Sequence, residues 1–113
     1  MEHLVGWIVI MICTIIVVGL GFTQFKSSTP VGFYTGIKPP QKEEVTDIVA
    51  YNKKHGIMWM LYGVGIPISY AIGFFSESST ILTVATSVEM IGGIFVMIFY
   101  HKHLNKQYLK KNQ

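Results

Sequence analysis

The sequence predicts an all-α integral membrane protein, a single membrane domain of three transmembrane helices with a cytoplasmic amphipathic helix leading into the second span. Composition is the first reason. Of 113 residues, 50% are hydrophobic and 13% charged, and the mean hydropathy is +0.45, more apolar surface than a soluble domain of this length buries. The second is that the apolar residues gather into three runs, 4–25, 56–75 and 80–100. Each matches the ~20 residues a helix needs to cross about 30 Å of hydrocarbon. The third is where the 9 basic residues fall: all are lysines, in the loop 26–55 or the tail 101–113, with none before the first run or between the second and third.

Residues 4–25 carry no charge. Met1-Glu2-His3 supplies neither the basic start nor the cleavage site of a signal peptide, so the run reads as an uncleaved anchor. Gly6, Ile10, Cys13, Thr14, Val17 and Gly21 form a seam of mostly small residues along it. Cys13 is the single cysteine, which excludes an intramolecular disulfide and leaves no thiolate metal site.

The loop 26–55 has two parts. From Pro30 to Pro40 it is punctuated by Gly and Pro and reads as a turn or short interfacial segment. Beyond, Pro40 suits a first helical position, Glu43 and Glu44 suit a first turn, and Val45, Ile48, Val49, Asn52 and Gly56 recur at helical spacing. This predicts an amphipathic helix from Gln41 into the second span, resting on the membrane surface, with Asp47 and Tyr51 four apart on one face.

Residues 56–75 carry Gly65, Ser69 and Gly73 as a small-residue series, with Pro67 freeing backbone carbonyls nearby. In residues 80–100, Glu89 is the one ionisable group before Tyr100. A carboxylate at that depth costs roughly 2 to 4 kcal/mol on insertion scales, so such groups face protein, find a partner or bind something. Counting by three and four from Glu89 gives Leu82, Ala85, Thr86, Gly92, Gly93 and Val96, a stripe that allows close approach. The expected polar neighbours are Thr86, Ser69 and Thr14. Gly65, Gly73, Gly92 and Gly93 are the expected packing points. No basic residue shares this layer, and desolvation disfavours the charged carboxylate. Glu89 then either donates a hydrogen bond that glues a bundle or oligomer, or exchanges a proton or binds a cationic substrate. The second role requires an oligomer, because three spans enclose little alone.

In the tail, Lys102, Lys106 and Lys110 recur every four residues opposite Leu104 and Tyr108, as lysines facing lipid headgroups do. His101 and His103 alternate and His55 belongs to the same interface, but alternating residues on a helix point apart and no Cys or acid joins them, so no metal site is expected. Trp7, Tyr34, Tyr51, Trp59, Tyr62 and Tyr100 read as an aromatic belt. The positive-inside rule puts loop and tail in the cytoplasm and the amino terminus outside. A pI near 9.0 beside membrane spans points to anionic lipid rather than nucleic acid. The chain lacks arginine, and with it bidentate phosphate clamps. No nucleophile with its base, phosphate-binding glycine loop or catalytic carboxylate pair is recognisable, so neither an enzyme nor a cofactor is expected.

The stretch Gly32-Phe33-Tyr34-Thr35-Gly36-Ile37-Lys38-Pro39-Pro40, then Val45-x-Asp47, Tyr51-Asn52 and Trp59-x-x-Tyr62-Gly63, resembles the juxtamembrane block of a group of small bacterial integral membrane proteins without assigned function. More distantly, Gly32 to Thr35 with Asn52 downstream resembles the loop of the immunity protein family that protects cells against a sporulation-delaying toxin. It departs from that family at Tyr34, where an arginine is usual. The resemblance spans residues 32–63 and implies a small multi-span protein of a bacterial cytoplasmic membrane. It marks Gly36, Lys38, Pro39, Pro40, Asp47, Tyr51, Asn52 and Trp59 as a loop motif. The resulting expectation is an accessory, immunity or assembly protein that associates with itself or with a membrane protein partner; the alternative is a small oligomeric transporter or proton-coupled conduit using Glu89.

Overall fold

The computed structural model describes residues 2–32 and 39–110, so Gly36, Lys38 and Tyr34 of the expected motif and belt lie outside the described residues. Helix α1 is Glu2–Lys26, α2 Ile48–Phe75, α3 Ser79–Ser87 and α4 Gly93–Tyr108, with a π-helical turn Val88–Gly92 running α3 into α4. Three helical stretches, α1, α2 and α3 through α4, are long and apolar enough to cross a membrane. No strand is present among the described residues; one isolated antiparallel bridge joins Val45 to Leu109.

The 28 residues of α2 reach about 42 Å, some 12 Å more than a hydrocarbon core. The surplus is its first two turns, at the lysine-rich end. Pro67 lies inside the helix without ending it. Its ring removes one amide donor, a loss that helical neighbours in an apolar span accommodate.

The amphipathic helix expected from Gln41 does not form as one piece. Lys42–Glu44 make a single 3-10 turn, and Val45 and Thr46 are held by the tail, Thr46 N–H donating to the Tyr108 carbonyl at 2.9 Å. Helix α2 begins only at Ile48, where the Asp47 carboxylate accepts from Ala50 N–H at 3.1 Å. The β-branched pair finds an extended partner, and a short acidic side chain serves better as a cap than inside a helix. Asp47 and Tyr51 therefore do not pair through their side chains; Asp47 caps and Tyr51 is fully buried.

Glycines decide how the helices pack on α2. At ~100° per residue, Gly56 and Gly63 share one sector of α2, while Tyr62 and Gly65 lie about 100° to 180° round from it. The first sector takes α1, antiparallel. A Cβ on Gly21 would meet the Gly56 carbonyl oxygen at 2.6 Å, and one on Gly56 would meet that of Gly21 at 2.5 Å, so the backbones touch. Near the hairpin, Gly6 lies against the Tyr70 hydroxyl and Trp7 packs edge-on to Tyr70 at 4.8 Å. The second sector takes α3 and α4: Gly73 against Leu82, Gly65 against Glu89, and Gly93 beneath the Tyr62 ring. At Gly92, expected to be a packing point, an added Cβ would meet no other described element within 4 Å. Helix α2 is thus a spine, and its two arms pack along it rather than along one another.

At the lysine-rich end, Val45, Tyr51, Leu104 and Leu109 form a buried cluster, with Ile48 and Tyr108 packed on it. Tyr51 therefore belongs to the interior and not to an aromatic belt. The tail's helix runs on to Tyr108 with Leu104 turned inward and Lys102, Lys106 and Lys110 exposed.

Candidate intramembrane site

Glu89 sits on the second sector of α2, at the depth of Gly65. One carboxyl oxygen, Oε1, lies against Gly65, where a Cβ would come within 2.6 Å of it. The other, Oε2, is buried without a hydrogen-bond partner among the described residues, as is the Thr86 hydroxyl. The remaining expected neighbours do not converge on it. Ser69 donates to the Ile66 carbonyl at 3.0 Å and Thr14 to the Ile10 carbonyl at 2.8 Å, each within its own helix. Thr14 is also on α1, the arm that packs on the other sector of α2, so matching depths do not bring it to Glu89.

The backbone at Glu89 is itself unusual. The π-helical turn Val88–Gly92 contains it, and the Tyr62 hydroxyl crosses from α2 to donate to the Met90 carbonyl in that turn at 2.8 Å. Single π turns are frequent at functional sites because the wider turn re-aims a side chain. Here it lies directly beside a cleft of about 540 Å³ between α2 and α4, lined by Glu89 and otherwise by apolar and aromatic residues including Leu61, Tyr62, Val96, Met97 and Tyr100. Leu61 and Val96 are each 67% exposed, so the cleft opens sideways, toward lipid in a bilayer. Its floor carries the carboxyl group.

A second polar assembly closes the lysine-rich end, just beyond Tyr100. The Tyr51 main-chain carbonyl can only accept, so His55 Nδ1, 2.9 Å away, carries the hydrogen. A neutral His55 then accepts at Nε2 from His101 Nδ1 at 2.8 Å. His101 Nε2 accepts from Asn105 Nδ2 at 3.2 Å, and Asn105 Oδ1 accepts from the Tyr51 hydroxyl at 2.6 Å. The circuit begins and ends on Tyr51, with every donor facing an acceptor while both rings are neutral. An extra proton on either ring would set two donors face to face unless the Asn105 amide turned over. The sequence contains a signal for this: Tyr51 and His55, and His101 and Asn105, are each four apart, one polar row on each of two antiparallel helices. His103 is exposed and stacks on Tyr100 instead. Among the described residues no group of three or more His, Cys, Asp or Glu could hold a metal ion.

The loop motif has a structural centre in Asn52, which is fully buried. Its Oδ1 accepts from Val31 N–H at 3.0 Å, and its Nδ2 donates to the Ser27 and Thr29 carbonyls at 3.1 and 2.8 Å. One amide thereby staples the chain leaving α1 to the start of α2. Trp59 packs edge-on to Tyr62 at 6.1 Å, and Pro39 and Pro40 precede the 3-10 turn. Comparison of the chain with protein-family models, with curated proteins and with solved structures yields no match.

Proposed function

We propose that this chain is a small multi-pass membrane protein that acts by interaction inside the bilayer, as an accessory, immunity or assembly protein, and that the Glu89 cleft is its working contact. The observation that carries the reading is Glu89 as the charge-capable side chain lining an otherwise apolar cleft open to the side, with no donor to its Oε2 among the described residues. Leaving a buried polar atom unpaired costs about 1–3 kcal/mol, and intramembrane carboxyl groups are retained where something completes them. What completes this one supplies a hydrogen or a positive charge from outside the chain, from a second copy or from another membrane component. The lysine distribution supports an amino terminus outside and a carboxyl terminus in the cytoplasm, with Lys102, Lys106 and Lys110 facing anionic headgroups, and the resemblance of the loop supports a bacterial membrane.

The test uses cysteines at Leu61 and Val96, on the two lips of the cleft, in a Cys13→Ser background. Purified protein in lipid nanodiscs is expected to cross-link between copies at these positions, and Glu89→Gln is expected to reduce that cross-linking severalfold. Equal cross-linking with and without the carboxyl group would refute self-association through the cleft. A conduit is the second reading, favoured by the depth of Glu89. Among the described residues the helices form two arms on one spine with a cleft open to the side, so a conduit needs two clefts face to face. Proton or dye flux in proteoliposomes that is unchanged in Glu89→Gln would remove it.

A further inference from the structure

Resting on the reading of the cleft as the working contact, we propose that its occupant is a monovalent organic cation with an apolar body, of the quaternary phosphonium or ammonium class, which enters sideways from the bilayer. Size is the first reason. A cleft of about 540 Å³ lies within the ~300–1,000 Å³ that small-molecule sites occupy.

Charge is the second. Among the described residues that line it, Glu89 is the one acidic residue and none is a lysine. A single carboxylate balances a single positive charge, whereas a divalent ligand would keep one charge uncompensated in an apolar wall and an anion would be repelled. The walls select the rest of the ligand. Tyr62 and Tyr100 line the cleft with aromatic carbon, and the thioethers of Met58 and Met97 are polarisable and adapt to an irregular apolar body. Tyr62's hydroxyl is committed to the Met90 carbonyl. A ligand rich in hydroxyl groups would therefore find few partners, and one with its charge spread over a greasy framework would find many.

The route of access fits the same class. The exposed lips, Leu61 and Val96, face the side of the helix layer and not its ends. Apolar cations partition into bilayers and reach such an opening from within.

The experiment measures equilibrium binding to the full chain in zwitterionic nanodiscs, with empty nanodiscs subtracted, of tetraphenylphosphonium and of tetraphenylborate, an anion of the same shape. Saturable binding of the cation alone is expected, weakened at least tenfold in Glu89→Gln and also weakened in Leu61→Trp, which fills the mouth and keeps the carboxyl group. Circular dichroism of each variant confirms that the helices are retained. Cation binding equal in native and Glu89→Gln protein, or saturable binding of the anion, would overturn the proposal. The cation and anion comparison on the native chain stands whether or not a variant folds. If cross-linking between cleft lips depends on Glu89 while the cation does not bind saturably, the occupant is a helix of another chain; the ligand class then fails and the interaction reading survives.

Discussion

Removing the Tyr51 hydroxyl tests the buried circuit at the lysine-rich end of the molecule. In Tyr51→Phe the ring keeps its place edge-on to His55, at 4.4 Å between centroids, and near Tyr108 at 6.1 Å, so apolar burial is unchanged. What is lost is the 2.6 Å bond from the Tyr51 hydroxyl to Asn105 Oδ1. A buried hydrogen bond contributes about 0.5–1.5 kcal/mol net, and that is the loss expected. The assay is equilibrium unfolding in mixed detergent micelles, followed by helicity. A double-mutant cycle with Asn105→Leu isolates the pair, because the double variant no longer carries the unmatched hydroxyl. The double variant is expected to lose about 1–2 kcal/mol less than the sum of the singles. Tyr51→Phe changing stability by under about 0.5 kcal/mol, with losses that add, would show that no closed circuit forms in solution.

Three further outcomes follow from the packing. Gly56→Ala places a methyl group 2.5 Å from the Gly21 carbonyl oxygen and 2.7 Å from Phe25 N, backbone atoms that cannot turn aside, and is expected to cost about 1–3 kcal/mol in the same unfolding assay; Gly92→Ala, with nothing within 4 Å, is expected to be neutral or to stabilise by up to about 1 kcal/mol. Glu77 has a φ of 58°, so a β-branched residue there is strained: Glu77→Val is expected to lower the melting temperature while Glu77→Gly leaves it close to native. Asn52→Ala cuts three bonds to the chain after α1, and amide exchange at Val31 is expected to quicken well beyond that of the spans.

The three long helices were legible because apolar length is a local property of the chain, counted along it without knowing any neighbour. The start of α2 was not, because Val45 and Thr46 take an extended form set by Leu109 and Tyr108, far along the sequence. Periodicity through Val45, Ile48 and Asn52 mimicked a longer helix, and Asp47, read as part of it, is instead the cap that sets the boundary. The depth of Glu89 opposite Gly65 follows from a short hairpin, which fixes the register of two antiparallel helices. Which face of α2 each arm takes is a joint property of two glycine rows, and reading depth alone wrongly added Thr14 to the site. Tyr51, His55 and His101 looked like belt and isolated residues because their pairing runs between helices. The repeated spacing of four in each helix was the trace of it.

The central claim is that Glu89 waits for a partner and does not hold the isolated chain together. The most direct measurement is the unfolding free energy of the monomeric chain with Glu89→Met, which fills similar volume without polar atoms. Relief of a buried, unpaired Oε2 predicts stability equal to native or higher by about 1–3 kcal/mol, together with loss of cross-linking at the cleft. A monomer destabilised by a similar amount would contradict the account, because the carboxyl group would then be a strut between α2 and the π-helical turn and the cleft no working contact.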